Sequence, residues 1–366
     1  MKKLEHVLKR AAFGVARRTL GTRPRLLEDG PAIRAADLCR VKRVVVVRQD
    51  RRLGNLVMVT SLAQGLRQVL PAARIDLVAP RALAEVLSSA DCLDRVIPVD
   101  HRGAIRAPWR LATLRRALRK PDLADVAIDA SPPHHFSFLS GATCALSGAP
   151  TRLGYARGEA GAFLNCLLPA PTTFQQPEHH MLHALLRGVV AEPGPPPLPR
   201  LVVRDTERAL ARRAFDRWGF RGRPVVAIHP GARAPKRWPT EHFEEAAGRL
   251  EAAGCGVIVF SGPAERGLLD CLCAPGPRRI YAPPLGLRGL MALVEPCAAF
   301  LSADCGPMHL AAALGVRCVT PFRIENFARY GPAGTGHRVL YADGAPVDPL
   351  AAADAVLEVV AGVPTR

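Results

Sequence analysis

The chain has 366 residues, 49% of them hydrophobic, enough for two domains with sizeable cores. Its formal net charge of +18 points to an anionic partner, but the charge is spread along the chain and aromatics are only 5%, which argues against a nucleic-acid binder. No run of 18 apolar residues predicts a membrane-spanning helix, and the start MKKLEHVLKR lacks the apolar core of a secretory signal.

Residues 3–20 place Leu4, Val7, Leu8, Ala11, Val15 and Thr19 at helical spacing, beside Lys2, Lys3, Lys9, Arg10, Arg17 and Arg18. Such a helix can lie on an anionic membrane surface or pack on the protein's own body. Residues 1–35 are therefore expected to be a basic amphipathic extension. From 41 onward apolar strands alternate with helices. Strands are predicted at 41–48, 74–80, 95–100 and 124–131, and helices at about 55–70, 81–89 and 108–119. This alternation predicts an α/β fold with parallel sheets covered on both faces. The segment EHHMLHALL puts His179 and His183 on one helical face, and a surface helix near a linker is expected there rather than a metal site.

The stretch AEPGPPPLPR (191–200) holds five prolines and predicts a stiff connector between domains. A second α/β series follows. PVVAIHPGA (224–232) reads as a strand entering a glycine turn, and 240–254 as a helix with Thr240 as N-cap. GVIVFSGPAE (256–265) reads as strand and turn, 298–315 as strand, turn and helix, and 317–322 as the last clear strand, before a terminal helix. The domains expected are thus 36–195, 196–345 and a C-terminal helix over 346–366. The architecture expected is two Rossmann-like domains with a cleft between them. The ten cysteines contain no CxxC pair and are expected to be reduced thiols.

In open α/β sheets ligands gather at the carboxyl ends of the strands. Four strand-end turns here are rich in glycine and polar residues: RQDRRLGN, HPGARAPKRWP, SGPAE and ADCGPMH. The second places His229 and Gly231 before Lys236 and Arg237. Free backbone amides with a cation suit a diphosphate. Only six of the fifty Lys and Arg residues are lysines, so a lysine at this turn suggests a point-charge role. The fourth turn puts Cys305, Gly306 and Pro307 at a helix N-terminus whose amides and macrodipole favour phosphate charge. Asp304 there is expected to orient the turn or cap amides, and His309 to reach the ligand. In the third, Glu265 either accepts from ribose hydroxyls or complements a helix N-terminus.

With these residues in place the chain resembles the bacterial heptosyltransferases of glycosyltransferase family 9, which build the lipopolysaccharide core. The resemblance runs from about 41 to 335. It rests on Arg48, Asp50 and Gly54 in the first turn, L-P-x-A-R-I-D-L (70–77), H-P-G-A (229–232) and K-R-W-P (236–239). Gly262 to Glu265 and D-x-G-P-M-H-L-A-A-A-L-G (304–315) complete it. It implies a GT-B fold and an inverting, metal-independent transfer with no cofactor. The donor implied is a nucleotide-sugar, usually ADP-heptose. His229, Gly231, Lys236, Arg237, Glu265, Asp304, Cys305, Gly306 and His309 would hold it in the C-terminal domain. The acceptor implied is an anionic glycolipid met by Arg48, Arg51, Arg52 and Gly54. A monomer is expected, in the cytoplasm or peripheral on the inner membrane, with no nucleic-acid partner.

The chain departs from the family pattern at three places. The family places its general base, an aspartate, directly after the glycine of the first turn, where this chain has Asn55. Cys305 replaces a Ser or Thr. The segment PFRIENFARYGP lacks the usual F-G-x-T turn. An amide cannot take a proton at neutral pH, so Asp50 in the same turn becomes the candidate base, with Asn55 and Lys236 as the other catalytic positions. Two alternatives remain: a weak or inert family member that binds nucleotide or glycan, and a basic nucleic-acid or membrane-surface protein on the same scaffold.

Overall fold

A computed structural model describes Gly14 and residues 22–28, 30–100, 108–262, 278–283 and 285–362. The rest of the amphipathic segment 3–20, and Cys271, Cys273 and Glu265, lie outside these residues. The chain divides into two compact units. One comprises 1–51, 58–174 and 178–197. The other comprises 52–57, 175–177 and 198–366.

The first unit holds β1 (Arg25–Leu26), β2 (Arg43–Val47), β3 (Arg74–Pro80), β4 (Arg95–Val99), β5 (Val126–Asp129), β6 (Thr151–Tyr155) and β7 (Cys166–Leu168). All pairings are parallel, in the order β1-β7-β6-β5-β2-β3-β4. The four valines of β2 are fully buried, as a central strand covered on both faces requires. The helix Leu53–Val69 follows it. The predicted helix at 81–89 is one short 3-10 segment, Ala84–Leu87. The helix at 108–119 is present as Pro108–Arg119.

The second unit holds β8 (Val225–His229), β9 (Gly256–Val259), β10 (Arg279–Tyr281), β11 (Ala299–Ser302), β12 (Cys318–Phe322) and β13 (Arg338–Tyr341). They form a parallel sheet in the order β10-β9-β8-β11-β12-β13. Beyond 317–322, the last strand clear in the sequence, lies one more, β13, which is only partly buried. Thr240 opens the helix Thr240–Ala252 but does not cap it. Pro239 occupies the N-cap, with no side-chain cap bond. Trp238 is fully buried and donates Nε1–H to Val347 O at 3.0 Å, which ties the K-R-W-P turn to the start of the terminal helix Pro349–Ala361.

In each sheet the chain winds outward in one direction and then in the other. The reversal falls between β2 and β5 in the first unit and between β8 and β11 in the second. Such switch points open a crevice at the carboxyl ends of the strands.

His337, just before β13, accepts the amide of Cys318 at Nδ1 (3.0 Å), and its Nε2 lies 3.1 Å from Ala333 O. This pairing needs the neutral ring. Burial is the main cause that pulls its pKa below 6.5; the Arg317 charge adds to this and Ala333 O opposes it. The unfolded chain therefore binds more protons than the folded one just below that value. The stabilisation is complete above pH ~6.5 and is lost as pH falls through the window beneath it. A urea titration at pH 7.5 and 5.5 should show lower stability at pH 5.5, with a smaller drop in His337→Gln. An unchanged drop in that variant contradicts the assignment.

Candidate active site

In the first unit, the switch point is occupied by charge. Arg48 continues β2, donating its amide to Val78 O at 3.0 Å, and its side chain is fully buried. The guanidinium donates Nη1–H to Ala130 O. Its Nε lies 2.6 Å from Asp50 Oδ2 and its Nη2 3.5 Å from Glu178 Oε1. Asp129 ends β5 and is buried. It accepts from Ser131 Oγ at 2.5 Å and from Arg157 Nη2 at 3.0 Å. Burial is the main cause lowering the Arg157 pKa, with the like charge of Arg48 adding to it and Asp129 opposing it. Arg48 thus pairs with Asp50 and Glu178, and Arg157 with Asp129, and such pairing is what lets these charges leave water.

Asp50 lies at the rim of this network, its side chain 29% exposed, so its carboxylate is anchored and still reaches solvent. Arg51 is exposed. Sequence reasoning missed Glu178, Asp129, Ser131 and Arg157. Nothing in a linear reading places residues 48, 129, 157 and 178 side by side, because strand order is not written in the spacing. The helix Glu178–His183 also differs from the surface helix expected. Glu178, His179 and His183 are all buried, Glu178 facing Arg48.

Residues 52–57 group with the second unit. Gly54 there approaches the helix Gly306–Ala313 so closely that a Cβ would lie 2.3 Å from His309 Cδ2. Likewise a Cβ on Gly306 would lie 2.9 Å from Leu53 Cβ. Both glycines are required by this approach. Asn55 follows, 8% exposed, and Arg52 is exposed.

At the second switch point His229, the last residue of β8, pairs in register with Ser302 of β11. Its Nδ1 is 3.1 Å from Gly231 O and 3.8 Å from Cys305 Sγ. Cys305 is the N-cap of Gly306–Ala313 and makes no side-chain cap bond, with Pro307 in the first turn, whose amides have no partner within the helix. Lys236 reaches the same place: Nζ is 2.5 Å from Asp304 Oδ2 and 5.2 Å from the centre of the Tyr330 ring. Asn326 Nδ2 donates to that same Oδ2 at 3.3 Å. Asp304 was expected to orient the turn or cap amides; it orients Lys236. Arg237 points its Nε to Ala232 O at 3.1 Å and is otherwise exposed. His309 is buried on the first helical turn. Asn326 and Tyr330 both come from the segment PFRIENFARYGP, which lacks the F-G-x-T turn but keeps Tyr330-Gly331-Pro332.

A lysine steadied by a carboxylate, beside a helix N-terminus at a switch point, can hold and stabilise an anionic group on a ligand. Five of the eight cysteines among the described residues are buried thiols, and Cys305 is half-buried at this site.

The family model for glycosyltransferase family 9 (heptosyltransferase) matches residues 111–346. The lipooligosaccharide heptosyltransferase 2 of Haemophilus ducreyi is 27% identical over 288 residues, covering 72% of this chain and 77% of that protein. Among solved structures, a family 9 glycosyl transferase from Veillonella parvula superposes with a TM-score of 0.78 at 19% identity, over 88% of this chain and 98% of that one. The E. coli ADP-heptose LPS heptosyltransferase II superposes with a TM-score of 0.71 at 24% identity, over 87% and 98%. These structures share the fold, two Rossmann-like units of the GT-B class.

Proposed function

This chain belongs to glycosyltransferase family 9, and from that premise we propose that it transfers heptose from ADP-heptose to a lipopolysaccharide-core acceptor, with inversion and without a metal. The observation that carries the proposal is the Lys236–Asp304 pair beside the N-terminus of Gly306–Ala313. In this reading the donor diphosphate lies against Lys236 and the first-turn amides, with His229, Gly231, Arg237, Cys305 and His309 around it, and the family resemblance alone assigns Glu265 to the ribose. As the bond to the anomeric carbon breaks, negative charge grows on the diphosphate, and preorganised donors stabilise it most at that moment. The acceptor hydroxyl attacks from the opposite face and loses its proton to Asp50. Arg48, Arg51, Arg52 and the Gly54 turn would meet the anionic acceptor. The names of the relatives, which handle heptose and lipopolysaccharide or lipooligosaccharide, support this choice of sugar and acceptor.

The basic segment 1–35 and the net charge of +18 would favour the anionic leaflet on which such an acceptor is built. We take 36–195 as the acceptor domain, 196–345 as the donor domain and the protein as a cytoplasmic or peripheral monomer. No helix among the described residues is long and apolar enough to cross a membrane. A thermal-shift panel of ADP, UDP, GDP and dTDP with their sugars tests the donor. A ligand at 100 times its Kd adds ~2.7 kcal/mol of stability, which a melting curve resolves readily. A selective response to ADP and ADP-heptose is expected, and a response to none of the panel overturns the reading.

One observation favours a second reading. Asn55 is a buried amide where the family resemblance expects a carboxylate, and a weak enzyme that still binds nucleotide or glycan would account for it.

A further inference from the structure

The loop after β12 carries a residue that the donor assignment does not use. Asn326 leans on Asp304, donating Nδ2–H to Oδ2 at 3.3 Å. Chemistry fixes this orientation, because an ionised carboxylate only accepts and the amide nitrogen must face it. Oδ1 of Asn326 is thereby left on the other branch of the amide. It is buried and has no hydrogen-bond partner among the described residues. Buried polar atoms are nearly always paired, so a lone acceptor at a candidate site points to a donor group brought by a ligand.

The surroundings say which donor. Asp304 Oδ2 already accepts from Lys236 and Asn326, and the Tyr330 ring lies 5.2 Å from Lys236 Nζ. Beside the cation that would hold a diphosphate, the acceptor left without a donor is thus Asn326 Oδ1. A diphosphate oxygen is itself an acceptor and cannot satisfy it. Sugar hydroxyls donate and can.

We propose that Asn326 is a specificity-determining residue that accepts a hydrogen bond from a hydroxyl of the transferred sugar. The ligand class is a nucleoside diphosphate carrying a polyhydroxylated sugar, read at the sugar and not at the phosphates. The inference rests on the donor assignment given under Proposed function.

Calorimetry on the full chain tests it with two probes, ADP and ADP-heptose, in wild type and in Asn326→Leu and Asn326→Ala. Leucine removes both hydrogen-bonding groups at similar volume, and alanine guards against a steric effect of leucine. Melting curves check that each variant is folded. The expected result is an ADP affinity within about twofold of wild type and an ADP-heptose affinity weakened ~5–10-fold, the loss of one good hydrogen bond. Equal losses for both ligands in both variants, or no loss for either, overturn the inference. If wild type binds neither probe, the donor assignment itself fails and the inference falls with it. If wild type binds both and only the sugar form weakens in the variants, both stand.

Discussion

Replacing Lys236 with methionine is expected to lower the transfer rate by ~10²–10³-fold, the size of loss seen when one preorganised charge-stabilising donor is removed from a reacting centre. The effect should fall on kcat more than on nucleotide affinity, because in the proposed transfer charge on the diphosphate grows as the sugar departs. Lys236→Arg should restore little. The site holds a compact ammonium 2.5 Å from Asp304 Oδ2, under the Tyr330 ring, and a planar guanidinium cannot reproduce that point contact. Quenched-flow or coupled assays of donor turnover read the loss directly. A Lys236→Met enzyme with near wild-type kcat would remove the main physical support for transfer at this site. Lys236 is partly exposed, so the folded state itself should be little affected.

The second large effect concerns the base. Asp50→Asn should reduce turnover by ~10²–10⁴-fold if this carboxylate takes the acceptor proton. The variant needs a stability control, because Asp50 Oδ2 lies 2.6 Å from the buried Arg48 guanidinium, and removing one member of a buried pair leaves the other charge less compensated. Glu178 and Ala130 O remain as partners of Arg48, which favours survival of the fold. The companion variant is Asn55→Asp. No gain is expected if Asp50 is the base. A large gain in Asn55→Asp, with Asp50→Asn unchanged, would instead identify a degenerate family member whose lost carboxylate has been put back.

Parts of this architecture are legible in the sequence because they depend on local pattern. The valine run of β2, the apolar strand β3, and the strand–turn–helix over 298–315 each carry a strong period and a clear stop. β6, β7, β10 and β13 are short, and TRLGY or RVLY presents no alternation long enough to declare a strand. Asp205–Arg217 is so charged that its helical face, with Leu210 exposed and Ala211 buried, does not stand out.

The same division holds for the candidate site. The sequence by itself determined the glycine-rich polar turns at the strand ends and the lysine among arginines, because these are facts of residue type and spacing, while Asn55 stands out only against the family resemblance. Only the tertiary structure decided which residues meet. Asp304 and Lys236 are 68 positions apart and meet because β8 and β11 lie side by side where the winding reverses, and Arg48 reaches Ala130 O because β2 lies beside β5. Sequence fixes what each residue can donate or accept, while strand order, which depends on how whole sheets bury their faces, fixes what it is next to.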